Sequence, residues 1–450
     1  MPQRGFESTE GLIRKVITKQ SASLSKAVLE AIMNSVDANA SSVSVQIEED
    51  HISIEDDGDS MTKSDIVTYF EQFGLDDQDI EDKDFGKFRM GRGQIFNFGV
   101  NVWRALEHYM VISINDDQVE VELPQCTSPD DDVILSEDNG EYTVNTEGLN
   151  YALLDAEPLD HSGLSIDIDL YNKVNSVAEI TEKVKGFVRY IPFLHDIEVE
   201  INGDVVDENP DEVVETDSAY FVNPRDDVYN SQSAAYNIGA WVGKFRLGPV
   251  KWDIVTKYDM DLTLDRTSIL QDDEVWESVK SEYVDVTADH LLESDRVNKS
   301  EGVWLLEQLS NDPSLIDMIV DEPIIKDIEN NYHTLGSITN SSLVFAEHSS
   351  QAESLMSRTD NIVLPPQYEE PLKDVVKTVS EVAAEIKEFV DAVSDEMKFE
   401  MNEKDVSSLS KRRQTNYRRI RRALNDLGFR GEVRVGYSNH RDMWKDDEDT

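Results

Sequence analysis

Apolar residues at Leu24, Val28, Ala31 and Ile32 follow a helical spacing and predict a helix over Leu24–Val36. Strict alternation follows in Val43–Val45–Ile47 and Ile52–Ile54, the period of half-buried strands. Thr62 and Asp65 form a capping-box pair, which predicts a helix start ahead of Ile66, Tyr69, Phe70 and Phe73. Residues 75–84 are acidic and turn-like, and a glycine-rich stretch, 86–93, leads into a further apolar segment expected to be helical. Strand patterns dominate residues 109–170, as in Val111–Ile114 and Leu164–Ile168. This order predicts an α/β (α+β) sandwich with a largely antiparallel sheet.

Downstream, a helix is expected over 176–190. The alternating run Ile197–Ile201, followed by Asn202–Gly203, predicts a hairpin. Strands continue to about residue 265, and residues 272–293 read as helix. A strand–helix–strand pattern covers Leu343–Ala346, Ala352–Ser357 and Ile362–Leu364, and long helical patterns cover 370–397 and 406–424. The expected domains are 1–175, 176–295 and a mainly helical 296–450.

Composition narrows the class. Cys126 is the single cysteine, so a disulfide scaffold and a cysteine-based zinc site are excluded. No apolar run approaches the length of a membrane span, and no apolar signal region follows the N-terminus, so a cytoplasmic protein is expected. The 42 basic and 93 acidic residues give 42 − 93 = −51, with the acids dispersed along the chain. Such a charge strains a fold by self-repulsion at low salt, and concentrated salt screens it. Adaptation to a high-salt, haloarchaeal cytoplasm is the favoured reading, and an ordinary, very acidic protein is the alternative.

Three motifs carry chemistry. Glu30, Asn34 and Asp37 fall within about 60° of one another on the predicted helix, one polar face. A carboxamide oxygen there can ligate Mg²⁺, a hard cation, and a carboxylate one turn away can take a proton from water; a solvated polar face is the bland alternative. Asp56-Asp57-Gly58-Asp59-Ser60-Met61 follows a strand. An Asp at that place can accept from a purine amino group, and Gly58 would let a base approach the backbone, although Asp-Asp-Gly is also an ordinary turn. Gly86-Lys87-Phe88-Arg89-Met90-Gly91-Arg92-Gly93 offers backbone amides and positive charge to phosphates. Residues 85–106 contain no acid, which fits a polyanion site; 228–252 is also acid-free and reads as buried sheet.

In this order and spacing the three motifs resemble the Bergerat-fold (GHKL) ATPases: DNA gyrase B, MutL, the ninety-kilodalton heat-shock chaperones, MORC proteins and histidine kinases. The chaperone, MutL and MORC branch is closest. The resemblance implies Glu30 as general base, Asn34 as Mg²⁺ ligand beside Asp37, and Asp56, Gly58 and Met61 as the adenine box. It implies Gly86, Lys87, Phe88, Gly91 and Gly93 as the phosphate loop, with Ser165 or, in another register, Ser162 replacing the Thr of a Gly-Thr pair. Ser60 and Arg89 stand where the family usually has glycine. Asp259–Arg266 looks like a chaperone middle-domain segment whose Arg reaches the γ-phosphate from an S5-like transducer domain. This implies a catalytic role for Arg266, with Lys257 as runner-up. The resemblance covers roughly residues 20–290.

It implies ATP and Mg²⁺ as cofactors, residues 74–93 as a lid, and hydrolysis that drives domain or dimer rearrangement in a chaperone-like or DNA-associated clamp. An ATP-dependent homodimer and a nucleic-acid or protein client are the expected partners, with no membrane. The alternative is a nucleotide-gated binding or assembly module with little hydrolysis. Residues 406–425 are acid-free and carry Lys411, Arg412, Arg413, Arg418, Arg419, Arg421 and Arg422. They read as a helix docked onto the protein's own acids, or as a phosphate-contacting face.

Overall fold

A computed structural model describes residue 17 and residues 23–67, 91–128, 133–147, 151–159, 162–207, 210, 212–226, 232–263, 266–294, 297–338, 343–346, 362–375, 402–403 and 436–437. Two compact units divide the chain at residues 293 and 294.

In the first unit, helix α1 (Leu24–Asp37) starts at Ser23, whose hydroxyl accepts from the Lys26 amide. Strands β1 (Ser42–Ile47) and β2 (His51–Asp56) follow, then the short helix α2 (Lys63–Asp65), which has the expected Thr62–Asp65 capping box. The remaining predicted helix residues Tyr69, Phe70 and Phe73 lie outside the described residues. A 3₁₀ turn, Gly91–Asn97, stands where a helix was expected, and β3 begins two residues later. The next strands are β3 (Gly99–Ala105), β4 (His108–Ile112), β5 (Gln118–Glu122), β6 (Cys126–Ser128), β7 (Ile134–Asp138), β8 (Glu141–Asn145), β9 (Tyr151–Ala156) and β10 (Leu164–Leu170). Helices α3 (Val177–Val188) and α4 (Ile191–Leu194) lead to β11 (Glu198–Ile201) and β12 (Asp204–Val205).

Nine strands form one sheet in the order β12-β11-β1-β2-β10-β3-β4-β9-β6. All its pairings are antiparallel except β1 with β11. The β11–β12 hairpin turns at Asn202 and Gly203, with φ of 52° and 82°. Two positive φ values match the right-handed strand twist, and the Asn-Gly pair supplies them at little cost. Alternation puts Val43, Val45, Ile47, Ile52, Ile54, Ile166 and Ile168 on one face, in a common core with α1 and α3. On the other face, Tyr109, Val111, Ala152 and Leu154 are covered by the three-stranded sheet β5-β8-β7 through Val119, Val121 and Val144.

A second sheet follows: β13 (Val213–Glu215), β14 (Ala219–Asp226), β15 (Ser233–Asn237), β16 (Ala240–Phe245) and β17 (Val250–Thr256), in the order β13-β14-β17-β15-β16. Helix α5 (Glu274–Glu293) buries Trp276, Val279, Tyr283, Thr287 and Leu291, at intervals of three and four. It packs on this sheet, where Tyr283 Oη donates to the Val250 carbonyl at 2.7 Å and Trp252 Nε1 to Thr287 Oγ1 at 3.1 Å. The two sheets share a seam. Phe187 of α3 stacks on Trp241 of β16, with ring centres 4.4 Å apart, and Ile238 and Ala240 enter the first core.

The second unit contains helix α6 (Lys299–Asn311), which has an Asn298–Glu301 capping box. It also contains β18 (Ile325–Lys326) paired with β19 (Tyr332–His333), and β20 (Leu343–Phe345) paired in parallel with β21 (Ile362–Leu364). The parallel pair agrees with the strand–helix–strand pattern, whose helix lies outside the described residues. So do most of the helix expected over 370–397 and all of the basic segment 406–425. Among the described residues, no helix is long and apolar enough to cross a membrane.

Candidate functional site

Helix α1 is enclosed on nearly every side: residues 24–33 and Ser35 are all buried. A helix in that setting keeps polar side chains only where partners await them. Lys26, Glu30 and Asn34 succeed one another at four-residue intervals on one face. Glu30 is only 3 % exposed, and its Oε1 lies 3.5 Å from Nε of Arg266. Asn34 is half-buried, and its carboxamide makes no hydrogen bond among the described residues. Asp37, also half-buried, ends the helix on the same face.

Arg266 arrives from the second sheet. Residues 261–263 pair with 268–270 as the two arms of a hairpin: Leu262 bridges Ile269, Thr263 N–H donates to the Ser268 carbonyl at 2.9 Å, and Leu270 N–H to that of Asp261 at 2.7 Å. Buried Asn237 anchors its base by donating to Asp259 at 2.6 Å and accepting from Met260 N–H at 2.8 Å. Asp273, at the start of α5, accepts from Asp261 N–H at 2.7 Å. Arg266 itself has φ of 48°, a left-handed conformation that is uncommon for a residue with a Cβ. Its Nη1 lies 3.8 Å from Met33 Sδ. Lys257, the runner-up, is engaged elsewhere, with Nζ 2.6 Å from both Glu215 Oε1 and the Thr216 carbonyl.

Lys26 is 4 % exposed. Its ammonium donates to the Arg266 carbonyl at 2.8 Å and the Val242 carbonyl at 3.4 Å. It also sits 4.7 Å from the centre of the Trp241 ring, a cation–π distance.

Asp56 ends β2 on the α1 side of the sheet, in step with buried Ile52 and Ile54. Ser35 Oγ donates to its Oδ2 at 2.8 Å, and the Gly58 and Leu164 amides donate to its Oδ1 at 3.0 and 3.2 Å. Burial pushes the carboxyl pKa above the ordinary aspartate value, against these hydrogen bonds. A carboxylate has about four acceptor positions. Three are filled here, which leaves one on Oδ2 for an outside donor such as an amino group. Half-buried Met61 packs on the core beside this site.

Several predicted residues take other places. A Cβ on Gly58 would lie 2.7 Å from the Ala38 carbonyl, so the glycine admits the end of α1. Ser60 donates to the Gly163 carbonyl at 2.6 Å and accepts from Leu106 N–H at 3.1 Å. The departure from glycine therefore ties three loops together. Ser165 pairs across the sheet with Glu55 and Arg104. Successive strand residues face opposite sides, and Ser165 lies opposite Ile166 and Asp56. It is withdrawn from the site; the Leu164 amide supplies the contact instead. Gly91 and Gly93 lie in the 3₁₀ turn that packs on α1, while Gly86, Lys87 and Phe88 lie outside the described residues.

Two residues of the site were not anticipated. Lys26 was legible as one helical turn before Glu30. Ser35, beside Asn34, shows its role only through its contact with Asp56.

The asparagine and the partly satisfied aspartate fit a nucleotide with Mg²⁺. Mg²⁺ takes most of its ligands from phosphate and water and needs one or two protein oxygens, which Asn34 can provide. Residues 22–123 match the family described as Histidine kinase-, DNA gyrase B-, and HSP90-like ATPase. This is a GHKL-type ATPase domain. The GHKL domain is an ATP-binding module, and its α/β fold agrees with the sandwich read from the sequence. No curated protein matches the chain.

Proposed function

We propose that the protein binds ATP with Mg²⁺ across the polar face of α1 and hydrolyses it. ATP supplies the transferable phosphoryl group and Mg²⁺ screens its charge. Asp56 accepts from the adenine amino group, and Asn34 provides the metal ligand beside Asp37. Glu30 takes the proton of the attacking water, and Arg266 stabilises the transferring phosphoryl charge. Gly86, Lys87, Phe88, Gly91 and Gly93 hold the phosphates, with 74–93 closing as a lid. The second sheet with α5 acts as a transducer, so nucleotide state is coupled to domain or dimer arrangement. The client is a protein or nucleic acid, and the setting a high-salt cytoplasm.

The observation that carries this reading is the buried pairing of Glu30 with Arg266, residues far apart in sequence that the family resemblance assigns to one reaction. The test is ATP turnover with Mg²⁺ in molar KCl, comparing wild type, Glu30→Gln and Arg266→Ala, with nucleotide binding measured alongside. Both variants are expected to bind ATP and lose turnover by roughly 100-fold or more. Wild-type turnover in Glu30→Gln would remove Glu30 from the mechanism.

The same pairing favours a second reading. A carboxylate already engaged by a guanidinium is not free to meet water, so in this reading the domain serves as a gate that binds ATP and hydrolyses little. ATP binding without turnover in the wild type would select that reading.

A further inference from the structure

We propose that Lys26 is the positioning residue for Arg266: its buried ammonium, clasped by the Trp241 ring and the Val242 and Arg266 carbonyls, latches the arginine hairpin onto α1. This rests on the assignment of Arg266 to the ATP site.

The geometry is specific. Lys26 reaches the backbone of the very residue whose side chain meets Glu30. It lies one helical turn before Glu30, so the two ends of Arg266, carbonyl and guanidinium, are held by successive turns of one helix face. The grip bears on the least relaxed point of the hairpin, where Arg266 has φ of 48°. A non-glycine residue keeps such a conformation only where its surroundings determine it. Trp241 completes the clasp from below, since it is fixed by its stack on Phe187 of α3.

A cation suits this role. Two carbonyls and a π face all present negative charge to the buried ammonium. A neutral side chain of similar length would fill the space and release the turn. The guanidinium would then lose its bearing on the phosphoryl site, although every residue that touches nucleotide would remain.

The test is a double-mutant cycle with Lys26→Met and Arg266→Ala, read in ATP turnover at molar KCl. Lys26→Met is expected to lower kcat roughly 10- to 100-fold, the range for a misplaced catalytic group, with KM for ATP within about threefold. In the Arg266→Ala background the same substitution is expected to change kcat by less than about twofold, because Lys26 acts through Arg266. Lys26→Arg, which keeps the cation, should recover part of the loss. An equal fall in both backgrounds would overturn the proposal.

Hydrogen exchange provides the second measurement, and it needs no turnover. In the wild-type protein without nucleotide, the amides of Thr263, Arg266, Ser268 and Leu270 are expected to exchange slowly. They should exchange faster in Lys26→Met, while the β10 amides stay protected. Fast exchange of the hairpin in the wild type overturns the latch, whether or not the variant folds. A wild type that turns over no ATP would defeat the hydrolysis reading alone, and exchange would still decide the latch.

Discussion

Replacing Asp56 by Asn separates binding chemistry from folding. The asparagine keeps an oxygen for the Gly58 and Leu164 amides, which now donate to Oδ1. Its amide nitrogen then faces Ser35 Oγ, at present 2.8 Å from Oδ2. The hydroxyl can accept that hydrogen and send its own to the Ala31 carbonyl, 3.3 Å away. A buried charge disappears as well, so stability should change by no more than about 1 kcal/mol. The ligand meets the opposite chemistry: the adenine amino group would confront a donor. Losing a hydrogen bond to a charged acceptor costs about 1.5–3 kcal/mol, or roughly 12- to 140-fold in Kd. Titration calorimetry with ATP and inosine triphosphate reads this directly. The wild type should prefer ATP, and Asp56→Asn should lose ATP affinity while narrowing or reversing that preference, because the 6-oxo group can accept from the new amide. A folded Asp56→Asn variant with wild-type ATP affinity and an unchanged ratio would refute the assignment.

Gly163→Ala should destabilise the first unit by roughly 2–5 kcal/mol, since the new Cβ would lie 1.8 Å from the Asp56 carbonyl at φ of 124°; urea denaturation measures it, and an unchanged midpoint would contradict the geometry. Asn237→Ala leaves the Met260 amide and Asp259 without this partner, so a loss of about 1–3 kcal/mol in denaturation and slower turnover are expected together. His51 is hydrogen-bonded to Asp167 and, more weakly in effect, to Asp169, and its pKa is raised from 6.5 to about 9. Its stabilising contribution is therefore complete below pH 6.5 and lost as pH rises through about 9; NMR titration should show this, with Asp167→Asn lowering the pKa. The net charge of −51 predicts a thermal midpoint that climbs as KCl is raised from about 0.1 M to molar levels, and a flat response would count against adaptation to salt.

Features set by local chemistry were legible in the sequence. The polar face of α1 follows from helical period alone, the Asn202–Gly203 turn from the need for two positive φ values, and the Thr62–Asp65 cap from hydrogen-bonding capacity. What the sequence left open is geometry that strings of residues do not record. Ser165 has the right chemistry one residue out of step, and a one-residue slip in a strand reverses the face. The contact belongs to the Leu164 amide, and a backbone group has no signature in side-chain type. Gly58 sits in a ligand-like motif but answers to the Ala38 carbonyl.

The least legible part is the most informative about how the unit is built. Glu30 and Lys26 are buried on a helix that belongs to the first sheet, yet Arg266, Val242 and Trp241, which they meet, come from the second. A buried ion stripped of its partner is strongly destabilising. The second sheet, docked on α1, thus offsets the burial of this polar face, and the segment carrying the left-handed arginine draws on that same face. Sequence comparison over residues 22–123 finds the nucleotide-binding half of this arrangement. The physics of burial accounts for the other half: the charges on α1 also join the two sheets, so a ligand that draws Arg266 away from Glu30 acts on the seam between them.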